Sequence, residues 1–241
     1  MNITAIYARL YLDCARRALL SIGKSPWTLL LPMGLSAASG FGAILAAQLG
    51  FLGGFLLGLF FAALASCYLY FLGELVGNAK VKLAEVGKSI GAYFWSVVNV
   101  LFVYWVASLV LGVVLNHSPQ TQRANVALQL VALVLLNAVP EVIYQRHTYG
   151  GLATIQRAIA FLQANWLEWG VPNVLLLGGL WLVLTEGLPV LASQLGILGT
   201  AVASILFGGL CHLVMVFRGY LFGELDGSSH RQRMFRYRTA A

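Results

Sequence analysis

Six apolar runs dominate the chain, each close to the length that a helix needs to cross a bilayer. They cover residues 27–48, 50–73, 92–115, 126–144, 171–185 and 198–220. A helix needs about 20 apolar residues to span the roughly 30 Å hydrocarbon core of a membrane. Charged residues make up only 10% of the 241 residues, which is too few to cover a water-soluble domain. The sequence therefore predicts an all-α integral membrane protein with six transmembrane helices.

Basic residues are distributed unevenly among the segments that join these runs. Most of the 15 lysines and arginines precede the first run or follow the second, fourth and sixth runs, whereas Arg123 lies between the third and fourth. Lysine and arginine concentrate in the cytoplasmic segments of membrane proteins. We therefore expect a multi-pass protein of a cell inner membrane with both termini in the cytoplasm. Topology accounts for the net charge of +7, and no nucleic-acid partner is predicted.

Three segments on the predicted cytoplasmic side have the pattern of amphipathic helices. They cover residues 2–21, 80–90 and 151–164. In the first, Ile6, Leu10, Cys14 and Leu20 lie on one side of a helix and charged residues lie on another. Helices of this kind lie in the interface between lipid and water. The lipid bilayer is thus the first predicted partner of all three segments.

The order of these elements suggests an internal repeat. Each amphipathic segment leads through a tryptophan into two apolar runs, and each pair of runs ends at a glutamate. Recurrence at regular intervals is typical of tandem units. We expect three units of one amphipathic helix and one two-span hairpin, at about 1–79, 80–145 and 146–230. The corresponding domains are an N-terminal amphipathic helix (1–26), a six-span membrane domain (27–222) and a basic cytoplasmic tail (223–241).

The glutamates at the ends of the hairpins are the main candidate residues. An ionisable side chain near the hydrocarbon usually faces protein, a partner or water. In one interpretation, each glutamate forms an ion pair with a following base and fixes the helix end to the surface helix. In the other, three carboxylates form a ring at a cytoplasmic mouth and bind a cation. The glutamates and their predicted bases are Glu74 with Lys80, Glu141 with Arg146, and Glu224 with Arg231.

Polar residues inside the runs are few. His212 lies midway through the sixth run without a second ligand at comparable depth, so we expect a hydrogen bond to a neighbouring helix. Asn137 is expected to form a similar bond, and Arg218 to extend towards the cytoplasmic headgroups. Metal and haem sites normally need more ligands. The sequence therefore predicts no metal, no cofactor and no disulfide among its three cysteines.

The entry into the first run resembles a known kind of permease. Residues 15–32 read ARRALLSIGKSPWTLLLP, which is similar to the basic surface helix that opens ABC-2-type permeases. That resemblance implies six spans, cytoplasmic termini and an ATPase partner. At the level of architecture, three two-span units with surface helices between them resemble the mitochondrial carriers.

Two classes of function follow from these features. The first is a non-catalytic scaffold, assembly or accessory subunit that binds a protein partner at its cytoplasmic face. The second is a transport protein for a lipid or small solute, in the manner of a permease with an ATPase. Motifs for phosphate binding, metalloprotease chemistry and paired carboxylates are absent from the sequence, so no enzyme is predicted. The sequence leaves open whether several copies associate.

Overall fold

The computed structural model describes residues 3–77, 80–114, 119–148, 150–228 and 230–239. These ranges contain ten α-helices and no β-strand, which confirms the all-α class. A 3-10 turn precedes α2 and another precedes α4, and a π-helical turn, Val183–Gly187, joins α8 to α9. The helices are α1 (Ile3–Lys24), α2 (Leu31–Ala47), α3 (Gly50–Val76), α4 (Val86–Ala92), α5 (Phe94–Val114), α6 (Pro119–Leu135), α7 (Val139–Arg146), α8 (Gly151–Leu182), α9 (Leu188–Asp226) and α10 (His230–Thr239).

Several helices have the length and composition of membrane spans. Four segments are long and apolar enough to cross a bilayer, namely Pro26–Ala47, Leu52–Val76, Gly151–Leu191 and Leu198–Asp226. A fifth is formed if Leu83–Ala92 and Phe94–Val110 count as one span with a 44° bend. The four to five apolar helices are those expected of a membrane protein. Six separate spans are not confirmed.

The predicted fourth span is broken in the structure. α6 ends at Leu135, and α7 begins only at Val139. Pro140 lies in the first turn of α7, where its missing N–H and its ring prevent the helix from continuing from the preceding residues. The prediction of one continuous helix over 126–144 is therefore wrong.

A helix covers 151–164 as predicted, and a break in the backbone divides it from the span that follows. Both belong to α8, which bends at Asn165, where φ is −131° and ψ is 27°. The Asn165 side-chain amide donates to the Phe161 carbonyl at 3.1 Å across this bend. Leu152, assigned to the apolar face of the predicted helix, is 60% exposed, whereas Ala158 is fully buried. The packed side of this segment contains Ala158 and Phe161, and Ile155 and Leu162 of the predicted apolar face also contact the core.

α1 is a helix as predicted, and its apolar stripe packs against the protein itself. Ile6, Leu10 and Cys14 are at most 3% exposed, and α9 is the main neighbour of α1. Leu20, which was expected in the same stripe, is 59% exposed, and Leu12 is 68% exposed. α1 therefore has one apolar side buried in the bundle and a second apolar side that faces outwards.

α2 and α3 form the tight hairpin that the sequence predicts. Gly53, near the start of α3, packs against the last turns of α2, where a Cβ on this glycine would lie 1.9 Å from the Ala46 carbonyl oxygen. Only a residue without a side chain fits at this distance.

The packed core lies at one end of the bundle. α1, α7 and α10 meet there with the ends of α3 and α9, and the fully buried side chains include Phe71, Leu75, Val142 and Leu221. In α2, by contrast, only Ala46 is buried. We call this packed region the polar end, because it also contains the ion pairs of Glu141, Glu168 and Glu224.

Candidate functional site

A fully buried ion pair joins α7 to α9 at the polar end. Glu141 is 0% exposed and Arg218 is 6% exposed. Arg218 Nη2 donates to Glu141 Oε2 at 3.1 Å, while Nε lies 3.0 Å from Oε1 without its N–H pointing at that oxygen. Nη2 also donates to the backbone carbonyl of Asn137, in the break between α6 and α7. The predicted pairing of Glu141 with Arg146 is therefore wrong, as is the prediction that Arg218 extends to the headgroups.

Trp169 of α8 completes this cluster. The Arg218 Cζ lies 5.2 Å from the centroid of the indole ring, and the indole Nε1 donates to Asn137 Oδ1 at 2.9 Å. A desolvated cation over an aromatic ring contributes about 2 kcal/mol or more. The interhelical hydrogen bond predicted for Asn137 is confirmed. Three helices thus meet around one guanidinium group.

A second buried ion pair attaches the C-terminal helix to the bundle. Arg233 of α10 and Glu168 of α8 are 4% and 6% exposed, and Nη2 lies 3.1 Å from the carboxylate. The same nitrogen donates to Asn165 Oδ1 at 3.0 Å, and Nη1 donates to the Leu225 carbonyl at 2.9 Å. The bend of α8 at Asn165 therefore also supplies an acceptor for this arginine.

Sequence reasoning missed this second pair for two reasons. Arg233 belongs to a basic tail that was assigned to the cytoplasm. Glu168 lies between Trp166 and Trp169, just before the predicted start of a span. The signal that could have predicted the pair is the position of Glu168 beside an apolar run, because an acidic group near the hydrocarbon usually pairs with another group of the protein.

A proline in α8 creates the acceptor that holds α1. Pro172 has no backbone N–H, so the carbonyl of Glu168, four residues earlier, receives no helical hydrogen bond. The Tyr11 hydroxyl of α1 donates to this carbonyl at 3.1 Å. Burial, followed by the charge of the Glu168 carboxylate, raises the pKa of Tyr11 to about 12. The phenol therefore remains a donor throughout the physiological pH range.

Glu224 joins the two terminal helices through partly exposed ion pairs. Arg17 of α1 lies 2.7 Å from Oε1, and Arg236 of α10 lies 2.9 Å from Oε2. The predicted pairing of Glu224 with Arg231 is wrong. Arg146 also has an unexpected partner, Asp226. Such solvated pairs contribute only about 0–1 kcal/mol each, so their main effect is on orientation.

The remaining predicted ion pair, between Glu74 and Lys80, is absent. Neither residue has an ion-pair partner in the part of the chain that the structure describes, and the same holds for Arg231 there. The three hairpin glutamates therefore occupy three different environments: Glu141 is buried and paired, Glu224 is partly exposed between two arginines, and Glu74 has no ion pair with any residue that the structure describes.

His212 forms the interhelical contact that the sequence predicts. Its side chain is 0% exposed, and Nδ1 lies 3.2 Å from the Tyr68 hydroxyl of α3. Its other ring nitrogen, Nε2, has no hydrogen-bond partner within the described ranges. The contact joins α9 to α3, six residues before Arg218 in the sequence.

The polar end has the chemistry of a structural junction. Among the described residues, no group of three or more His, Cys, Asp or Glu is placed to hold a metal ion. Cys14, Cys67 and Cys211 are free thiols. Comparison of the chain with protein-family models, curated proteins and solved structures finds no match.

Proposed function

We propose that the chain is a non-catalytic membrane scaffold, an assembly or accessory subunit that holds a protein partner at its polar end. The observation that carries the proposal is the attachment of both terminal helices to the same end of the bundle. Glu224 binds arginines of α1 and α10, and Glu168 binds Arg233 of α10. A rigid supporting framework is what a docking surface needs, because it lowers the entropic cost of binding.

An exposed basic patch beside this framework is the proposed contact with the partner. We define the lysine patch as Lys24, Lys80 and Lys82, all exposed and without ion-pair partners in the described structure. The backbone N–H of Val81 donates to Ser25 Oγ at 3.3 Å, which brings the segments that carry these lysines together. Three unneutralised ammonium groups attract an acidic surface, and salt weakens that attraction.

Purification of the tagged full chain from native membranes in a mild detergent tests this proposal. We expect a protein other than an ATPase to co-purify in stoichiometric amount and to dissociate as salt is raised. The variant K24E/K80E/K82E should lose it, whereas the charge-conserving control K24R/K80R/K82R should retain it. Equal retention by both variants, or the absence of any stoichiometric protein from the wild-type preparation, would contradict the proposal.

We further propose six membrane crossings with both termini in the cytoplasm. α1 and α10 both bind Glu224 and therefore lie at the same end of the bundle. The chain between them must then cross the membrane an even number of times, which supports six crossings over five. The bent α4–α5 pair would lead away from the polar end and the broken α6–α7 pair would return to it, as the middle of three helix-and-hairpin units. The bases of the lysine patch favour the cytoplasmic side for this end. Cytoplasmic and periplasmic reporters fused after residues 123 and 241 test the arrangement, with opposite signals expected.

One observation favours the alternative of a lipid permease. An apolar groove of about 590 Å³ lies between α8 and α9 and is lined by residues such as Leu176, Gly179 and Leu213. A groove of this kind suits an acyl chain better than a polar solute. Accelerated transbilayer movement of a fluorescent lipid in vesicles containing the pure chain, or a co-purifying stoichiometric ATPase, would favour this alternative.

A further inference from the structure

The groove between α8 and α9 has the dimensions of one leaflet of a bilayer. One wall runs from Pro172 of α8 to Val183 at the start of the π-helical turn, which corresponds to about 16 Å at the helical rise of 1.5 Å per residue. Half of the roughly 30 Å hydrocarbon core is about 15 Å. The groove therefore fits an acyl chain that enters from one leaflet and ends near the bilayer midplane.

α1 forms the wall of the groove that lies at the polar end. Leu12 and Leu19 of α1 line it, and they are 68% and 59% exposed. Because an amphipathic helix lies at the boundary between headgroups and acyl chains, this wall marks the depth at which a lipid headgroup would lie. The groove thus opens at headgroup level and continues into the hydrocarbon.

Two arginines of α1 lie beside Leu12, a residue of this helix that lines the groove. Arg16 lies four residues after Leu12, and Arg9 lies three residues before it, so both neighbour this leucine on the helix surface. Both arginines are exposed and have no ion-pair partner in the described ranges. Arginine binds phosphate oxygens through two parallel N–H groups. Asp13, which is also exposed, lies between the two arginines on this side, so the three residues have a net charge of +1, which favours an anionic headgroup over a neutral one.

We infer that this groove is a binding site for one anionic phospholipid of the leaflet on the side of the polar end. One acyl chain occupies the space between α8 and α9, and the headgroup phosphate contacts Arg16, with Arg9 adding to the local positive charge. The inference requires only that the chain lies in a bilayer, so it is independent of the scaffold proposal.

Two adjacent glycines provide a matched pair of variants. Gly179 lines the groove and Gly178 does not, yet a Cβ at either position would meet no atom within 4 Å. Gly179→Leu fills the groove, whereas Gly178→Leu adds the same side chain to the neighbouring helix surface. Both changes replace glycine by a better helix former, so neither is expected to disturb α8.

Lipid binding to the delipidated full chain, measured by native mass spectrometry, tests the inference. The probes are phosphatidylglycerol and phosphatidylcholine with identical acyl chains. We expect wild-type protein to bind one phosphatidylglycerol at least about fivefold more tightly than phosphatidylcholine, the factor that corresponds to one basic residue at an anionic surface. Gly179→Leu should weaken binding of phosphatidylglycerol about tenfold or more, whereas Gly178→Leu should leave it unchanged.

The headgroup contact has its own test. Arg16→Gln should remove most of the preference for phosphatidylglycerol, while Lys88→Gln, the loss of one exposed charge on α4 away from the groove, should preserve it. Equal binding of the two lipids by wild-type protein, or equal binding of phosphatidylglycerol by the two leucine variants, would overturn the inference.

Discussion

Replacement of Arg218 by methionine tests the strength of the buried ion pair. The change keeps a long side chain but leaves the Glu141 carboxylate, which is 0% exposed, without its counter-charge. Removal of one member of a buried pair costs about 3–5 kcal/mol. In a protein of this size, 1 kcal/mol corresponds to roughly 2–4 °C in the unfolding temperature. We therefore expect Arg218→Met to lower that temperature by about 6–20 °C, measured by tryptophan fluorescence of the full chain in detergent.

A solvated ion pair at the same end supplies the control. The Arg146 side chain is 38% exposed and pairs with Asp226, and such pairs contribute about 1 kcal/mol or less. Arg146→Met should therefore lower the unfolding temperature by less than about 4 °C. The double variant E141L/R218M, which replaces both charges by apolar groups, should recover most of the loss. Equal effects of the two methionine variants, or a double variant as unstable as Arg218→Met alone, would refute the assigned role.

Three further predictions concern α1 and the first hairpin. Tyr11→Phe removes the donor to the carbonyl freed by the proline and should cost about 1–3 kcal/mol, which thermal unfolding and proteolysis of α1 would detect. Gly53→Ala should destabilise the hairpin by about 1–3 kcal/mol because of the 1.9 Å approach to a backbone oxygen, whereas Gly54→Ala, with open space around it, should not lower the unfolding temperature. Burial raises the pKa of the Cys14 thiol from 9.0 to about 12, so the thiol ionises at a lower pH in the unfolded chain than in the folded protein. The free energy of unfolding should therefore fall as pH rises from 9 towards 12. Cys14→Ala should reduce this dependence on pH, and an unchanged dependence would contradict the assignment.

Hydrophobic run length predicts the apolar helices well and their breaks poorly. The first two runs and the last two correspond to helices of sufficient length, because twenty apolar residues have few other stable states in a bilayer. The fourth run was joined across Pro140, although proline in the first turn of a helix is typical of a new start. The helix over 151–164 follows from its periodicity, and it ends at the break at Asn165. Its packing against protein could not be predicted from composition, because polar residues occur both in surface helices and in helix ends packed against protein.

The candidate site shows a different limit of sequence reasoning. The acids are identified by their recurrence at the ends of hairpins, but each is predicted to pair with a base that follows it closely in sequence. Arg218 lies 77 positions from its partner Glu141, and Arg17 lies 207 positions from Glu224. Pairings at such separations follow from the way the helices pack, and a single sequence contains no record of that packing. Asn137 and His212 were predicted correctly because a polar group inside an apolar helix has few partners other than a neighbouring helix.

The buried pairs also bear on the choice between a scaffold and a permease. Alternating access requires one part of a bundle to move against another around the binding site. Opening between α7 and α9 would separate Arg218 from Glu141, and a penalty of about 3 kcal/mol alone keeps the open population below about 1% unless a ligand binds that state more tightly. Lipid movement along the outer groove of α8 and α9 would avoid this penalty, since no residue that lines the groove belongs to an ion pair of the described structure. Vesicles in which the chain binds phosphatidylglycerol without accelerating its transbilayer movement would therefore count against both permease routes and in favour of a scaffold that carries a bound lipid.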